Sequence, residues 1–405
     1  MRKVIVLSLC LLLLVACQGG SSQEQQIDPR VRLDADKTYT VEYWDVEPPG
    51  VMDPRGEYRG KVEELVLDFC NEHPGIQVNM RWLSWTEAQQ ELEQALKKGT
   101  PPDLWGDWAG IAYYHGLQIP AEIWLEDEEL LTPAGAKAAR QGGQTWAWPR
   151  WIWPRGLLAL HSQWDELDVV TAQWDWRELA ECLEETDFYL QINDWNGEFS
   201  TQALQAATGY GYGQWGGQEL HEVFAALELL RQEGLIDQST EYQEITQGTN
   251  MLGGFAPALV TWMAENMDQE EVVLLPVPGI SGGNTFVPCS ASNLIQFRQE
   301  EYKGDDHSKA TALVAQHLAT NQGAVAELLW AAPAWEQANW TPDLPPWYCT
   351  FLEETMERGV PLYSLSSKGR ARENEFRDKI NAVLADFWAG KADAQDVAYR
   401  LEKLQ

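Results

Sequence analysis

Hydrophobic positions between residues 39 and 108 switch between two periods. In YTVEYW (39–44), Tyr39, Val41 and Tyr43 alternate with other residues, which predicts a strand with one buried face. In GKVEELVLDFCNEHPG (60–75), Val62, Leu65, Val66 and Phe69 recur at helical spacing, and Pro74-Gly75 stops the helix. IQVNMRW (76–82) alternates again, with Ile76, Val78, Met80 and Trp82 inward. Thr86 and Gln89 have the spacing of a capping box, and Ala88, Leu92, Ala95 and Leu96 form the next buried stripe before Gly99. Asp103-Leu104-Trp105 opens a third strand. A βαβαβ series predicts a parallel sheet covered by helices, with ligands bound beyond the carboxyl ends of the strands. Those ends carry Trp44-Asp45, Ser84-Trp85 and Asp107-Trp108.

The pattern continues downstream. WDWRELAECLEE (174–185) reads as a capped helix, and HEVFAALELLRQEGLI (221–236) as an amphipathic one ending at Gly234. FAPALVTWMAEN (255–266), EVVLLPVPG (271–279) and SNLIQF (292–297) read as strands, and HSKATALVAQHLAT (307–320) as a helix. Two helices close the chain. Ile380, Val383, Leu384 and Phe387 line the first, which Gly390 ends, and Asp393 caps the second, with Val397, Ala398 and Leu401 inward. No internal repeat is visible.

One stretch stands apart. WAWPRWIWPRG (146–156) holds four tryptophans, and its two prolines bias it toward extended geometry. Strict alternation puts Trp151, Trp153 and Arg155 on one face and Trp148, Arg150 and Ile152 on the other.

The first residues point to export. MRK is a basic start, and VIVLSLCLLLLVA is an apolar run too short to span a bilayer comfortably, which together read as a secretory signal. Leu14-Val15-Ala16-Cys17 and a Gly/Ser/Gln spacer resemble a bacterial lipoprotein box. That resemblance implies cleavage of residues 1–16, lipid on Cys17 and a flexible tether over 17–36. The rest of the 405-residue chain is longer than one core usually serves, so two lobes are expected.

Charge narrows the function classes. With 62 acidic and 29 basic residues the formal net charge is −33, a surface that repels nucleic acid. Cys70, Cys182, Cys289 and Cys349 are too widely spaced for a zinc pattern, and export leaves their disulfide pairing open. Neither a metal site nor a cofactor loop is expected.

Seven passages, in order, carry a resemblance. They are LEQALKKGTPPDLWGDW (92–108), QTWAWPRWIWPRGLLAL (144–160), AQWDWRELAE (172–181), GGFAPALVTW (253–262), VLLPVPG (273–279), WAAPAWEQA (330–338) and FWAGKADAQDVAYRLEK (387–403). Together they resemble the family 1 extracellular solute-binding proteins of ABC importers, the group that binds sugars and oligosaccharides. Two positions depart from the family pattern. Leu160-His161 stands where Tyr-Asn is common, and Pro257-Ala258-Leu259-Val260 replaces Lys-Ala-Ala-Met.

The resemblance implies a two-lobed periplasmic-binding-protein-like α/β fold. Each lobe is a mainly parallel sheet flanked by helices, with a ligand cleft at the hinge. It implies lobe 1 over 37–152 and 286–332, lobe 2 over 153–285 and 333–405, and crossings near 150–156, 283–288 and 331–336. The expected partners are a sugar or oligosaccharide, permease subunits and the membrane through the lipid alone, on its extracellular or periplasmic side. The expected state is a monomer without enzymatic activity. Sugars have an apolar C–H face and a polar rim, suited to aromatic rings and to charged hydroxyl partners. Trp44, Trp108, Trp151, Trp153, Trp262 and Trp335 are the candidate platforms, with Trp195 a candidate from the second lobe. Asp45, Asp107, Arg150, Arg155 and Glu265 are the candidate hydroxyl partners, and Trp388 is assigned to the core. Two other readings remain: a polyamine, peptide or other cationic solute on the same fold, and a secreted glycoside hydrolase with paired carboxylates.

Overall fold

The computed structural model describes residues 27–50, 52–108, 116–125, 130–141, 143–160, 174–186, 188–192, 198–211, 214–237, 250–253, 272–282, 285–338, 340–361 and 370–404. The opening unit comprises β1 (Tyr39–Glu47), α1 (Tyr58–Glu72), β2 (Ile76–Ser84), α2 (Ala88–Lys97) and β3 (Leu104–Asp107). Its strands are parallel in the order β3-β1-β2, as the alternating periods predict. Tyr39, Val41 and Tyr43 are buried on one face of β1, and Tyr58, Val62, Val66 and Phe69 form the buried stripe of α1. The expected capping box does not form. Helix α2 starts at Ala88 after Glu87, with no side-chain cap. Strand β2 runs on to Ser84, whose carbonyl accepts from Glu87 N and whose hydroxyl donates to the Glu87 carboxylate at 2.7 Å, so Thr86 is left in the turn.

Further along come β4 (Gln118–Ile119), α3 (Pro133–Ala139), β5 (Trp148–Pro154) and β6 (Leu157–Leu160). Thr132 caps α3 by accepting from Gly135 N at 3.1 Å. Next come α4 (Trp176–Glu184), β7 (Tyr189–Ile192), α5 (Glu198–Thr208), α6 (Gln218–Gln232), β8 (Ile236–Asp237), β9 (Asn250–Gly253) and β10 (Val272–Leu275). Asp175 and Glu178 form a complete capping box on α4. The remainder is β11 (Val287–Phe297), α7 (Asp305–Thr320), α8 (Gly323–Leu328), β12 (Ala332–Pro333), α9 (Pro346–Arg358), β13 (Gly359–Pro361), α10 (Arg370–Trp388) and α11 (Ala394–Glu402). The expected strand at 292–297 is the second half of β11, and the one expected at 255–266 lies outside the described residues.

Two sheets divide the chain into two lobes. The first has eight strands, ordered β12-β5-β11-β3-β1-β2, with β4 and β13 pairing opposite ends of β11. The second is ordered β8-β7-β9-β6-β10. Its core joins Leu157, Leu190, Ile192, Phe224 and Leu227 to Ile380, Leu384, Phe387 and Leu401 of the last two helices. The chain first crosses at Arg155-Gly156, between β5 and β6. A Cβ on Gly156 would meet Leu275 O at 2.5 Å, so only glycine lets β10 approach this closely. A second crossing lies between β10 and β11. At 331–336, where a third crossing is expected, β12 instead joins the first sheet, as does β13. Residues 153 and 154, also assigned to lobe 2, pair with β11 in the first sheet. At the junction, Leu158 and Leu274 of the second sheet pack with Val287, Ala332, Tyr348, Phe351 and Leu352. Helix α9 therefore seats its buried face on both sheets.

Residues 27–36, expected in the tether, lie against α7 where they are described. Asp28 N donates to Asp305 at 2.9 Å, and Lys309 Nζ donates to Val31 O at 2.8 Å. Cys17 lies outside the described residues. Cys70, Cys182, Cys289 and Cys349 are all unpaired, and burial pushes the Cys289 thiol up to about 12. Among the described residues no helix is long and apolar enough to cross a membrane, and no cluster has the make-up of a metal site.

Candidate ligand-binding site

The proline-bracketed stretch forms β5, all seven residues of which are buried. It pairs antiparallel with β11, and the register steps from Trp151↔Ser292 to Pro149↔Asn293. Arg150 is the extra residue of that bulge. A bulge re-aims side chains, so the strict alternation expected from sequence fails at Arg150. Its guanidinium carbon lies 4.1 Å from the Trp151 ring centre and 5.8 Å from that of Trp108. Trp151 and Trp153 do sit together, with ring centres 5.7 Å apart.

Arg150 meets Asp45 of β1 in a fully enclosed ion pair, Nη1 to Oδ2 at 2.7 Å, with both side chains 0% exposed. The Asp45 carboxylate also accepts from the Tyr43 and Tyr58 hydroxyls, from Trp108 Nε1 at 3.1 Å and from Val46 N. Arg150 Nε donates to Ser292 Oγ at 3.0 Å. Burial raises the Tyr43 and Tyr58 hydroxyls well above the usual tyrosine range. Burial alone would lower the Arg150 pKa, but the Asp45 carboxylate outweighs it and raises the value. Asp45 and Arg150, both expected to meet sugar hydroxyls, are instead occupied by one another. The reason is positional. Asp45 continues the inward series Tyr39, Val41, Tyr43, and burying its charge requires the guanidinium that the bulge delivers.

The candidate platforms separate by depth. Trp151 is 0% exposed, and Trp153 and Trp335 are each 2% exposed. Trp153 Nε1 donates to Leu329 O, and Trp335 Nε1 donates to Pro149 O at 2.6 Å. These rings are core of the first lobe. Trp44 is half-buried on the other face of β1, with the Arg81 guanidinium 4.5 Å from its ring centre. Trp108, just past β3, is buried edge-on to Tyr58 at 5.0 Å and Trp151 at 5.3 Å. Above it stands Trp85, just past β2, edge-on at 5.7 Å and 44% exposed. The strand-end rule pointed to this residue, but it was not among the candidates. Asp107 is buried at the end of β3, where its carbonyl accepts from Ser292 Oγ at 2.8 Å. Arg155 is half-buried in the first crossing and donates to Ser290 Oγ from Nε and Nη2. Trp195, Trp262 and Glu265 lie outside the described residues. Trp388, expected in the core, is partly buried in the second-lobe core and donates to Ser200 Oγ at 3.0 Å.

The carboxyl ends of β1, β2 and β3 thus present one open indole, Trp85, on a rigid bed formed by Trp108, Trp151, Trp153 and Tyr58. An exposed ring on a fixed base can stack on an apolar ligand face with little loss of side-chain entropy.

This architecture has solved counterparts along nearly its whole length. The sugar-binding protein MalE from the phytopathogen Xanthomonas citri has a TM-score of 0.67 at 17% identity, over 90% of this chain and 95% of that one. A cyclo/maltodextrin-binding protein complexed with maltotetraose has a TM-score of 0.67 at 17% identity, over 91% and 96%. A family 1 extracellular solute-binding protein from Bifidobacterium longum subsp. infantis has a TM-score of 0.66 at 13% identity, over 91% and 99%. No protein-family model and no curated protein matches the sequence. The chain has the two-lobed α/β fold of the family 1 extracellular solute-binding proteins.

Proposed function

We propose that this protein is the solute-binding component of an ABC importer and captures a sugar or oligosaccharide between its lobes. The observation that carries this reading is Trp85, an exposed ring on buried Trp108 at the strand ends that face the cleft in this fold. Closure is a hinge motion about Arg155-Gly156 and the other crossings, and a permease reads the closed form. The protein binds and releases its solute without chemistry. A thermal-shift screen over sugars and oligosaccharides tests the ligand class. A ligand at 100 times its dissociation constant stabilises the folded state by about 2.7 kcal/mol. With that ligand, solution scattering is expected to show a smaller radius of gyration. New reducing ends after incubation with oligosaccharides would instead establish a hydrolase.

The same reading places the protein on the outer face of the membrane, held by lipid on Cys17. Its support is Leu14-Val15-Ala16-Cys17 and the polar spacer behind it. Cys17→Ser is expected to block processing or move the protein out of the membrane fraction. Unchanged processing and membrane association would remove the anchor from the proposal.

A further inference from the structure

We propose that a second cavity, on the edge of the first lobe, binds a small organic cation carrying an apolar body. The cavity measures about 390 Å³ and lies between α9, residues 333–338 with Trp340, and the first turn of α3. That volume falls in the size range of small-molecule sites, about 300–1,000 Å³. Trp335, Trp340 and Met356 supply its aromatic and thioether walls, and Glu336, Glu353 and Glu357 supply its charge. Among the described residues no lysine or arginine lines it.

Each wall has a structural origin. Tyr348, Phe351, Leu352 and Thr355 form the buried face of α9, so Glu353, Met356 and Glu357 fall on the neighbouring face. Trp335 is held by its bond to Pro149 O and by its bridge to Leu131 just before α3. Glu354, on the same helix, pairs with Arg358 at 2.7 Å, whereas the three cavity carboxylates form no ion pair among the described residues. Three unneutralised carboxylates beside two indoles repel anions and attract cations, first by charge and then through the ring quadrupole. The walls reward an apolar body on that cation.

This cavity is separate from the proposed sugar site. Trp335 follows β12, at one edge of the first sheet, whereas Trp85 follows β2, at the opposite edge, and none of Trp85, Trp108, Trp151, Trp153 and Tyr58 lines the cavity. Ligation of one site therefore needs no residue of the other.

The test is calorimetric titration of the intact protein with 2-phenylethylamine, charged at neutral pH, and with 2-phenylethanol, its neutral counterpart. The amine is expected to bind at least tenfold more tightly than the alcohol, and more weakly as salt rises. The double variant Glu353→Gln/Glu357→Gln changes two exposed side chains and is expected to fold normally. It should lose at least tenfold in amine affinity, while Trp85→Ala keeps it. The inference is overturned if the intact protein does not bind the amine at millimolar concentration, if the alcohol binds equally, or if the double variant binds the amine unchanged. Those results leave the sugar reading standing, because sugar titrations report on a different set of residues.

Discussion

Asp45→Ala is expected to destabilise the first lobe by about 3–5 kcal/mol, the scale for removing one partner of a buried ion pair. The substitution strands the Arg150 guanidinium in a site of 0% exposure. It also removes the acceptor shared by Tyr43, Tyr58 and Trp108. Arg150→Ala is expected to act similarly, leaving a buried carboxylate. The double variant Asp45→Leu/Arg150→Met should recover part of the loss, because an apolar pair needs no desolvated charge, but not all of it, because two tyrosine hydroxyls still lose their acceptor. Urea unfolding followed by tryptophan fluorescence measures all three. If Asp45→Ala unfolds at the wild-type urea concentration but loses ligand affinity, the carboxylate serves the ligand and not the core.

Trp151→Ala and Trp85→Ala are expected to separate stability from binding. Trp151 is enclosed by Tyr58, Trp108, Trp153 and Arg150, with ring centres at 5.9, 5.3 and 5.7 Å for the three aromatics. Truncation opens a large cavity and is expected to cost about 3–5 kcal/mol of folding stability. Trp85 is 44% exposed, so its removal should change stability by no more than about 0.5 kcal/mol, in line with surface positions. Its loss should instead weaken the ligand found by screening by about 2 kcal/mol, roughly thirtyfold in dissociation constant. Urea unfolding and calorimetric titration of both variants decide the matter. A Trp85→Ala protein that binds normally, beside a stable Trp151→Ala protein that does not, would return the platform role to β5.

Local signals in the sequence were enough for the opening elements and for several helix starts. The two-residue and 3.6-residue periods between Tyr39 and Asp107 specify the parallel βαβαβ unit, because each records which face of one element meets a core. Asp175 with Glu178, and Asp393 before the last helix, mark helix starts through bonds spanning two or three residues. Thr86 with Gln89 shows the limit of such signals. The same spacing formed no cap once β2 extended to Ser84 and the turn used Glu87. Even the depth of Asp45 is written in the alternation that begins at Tyr39, although a carboxylate at a strand end also reads as a ligand group.

By itself the sequence determined an α/β chain with strand ends rich in tryptophan, and a proline-bracketed aromatic strand at the first passage between lobes. Among the described residues, the tertiary structure decided which rings are buried and left Trp85 open. It also paired Asp45 with Arg150, 105 residues apart, and held the chain in the first sheet through Pro361. Periodicity and capping act over one or two turns, so neighbouring residues encode them. Whether an indole meets solvent depends on which distant element covers it, and for Trp151 those covers come from α1 and from the end of β3. The bulge that turns Arg150 toward Asp45 exists only because β5 and β11 pair in one register, which no local pattern along β5 records.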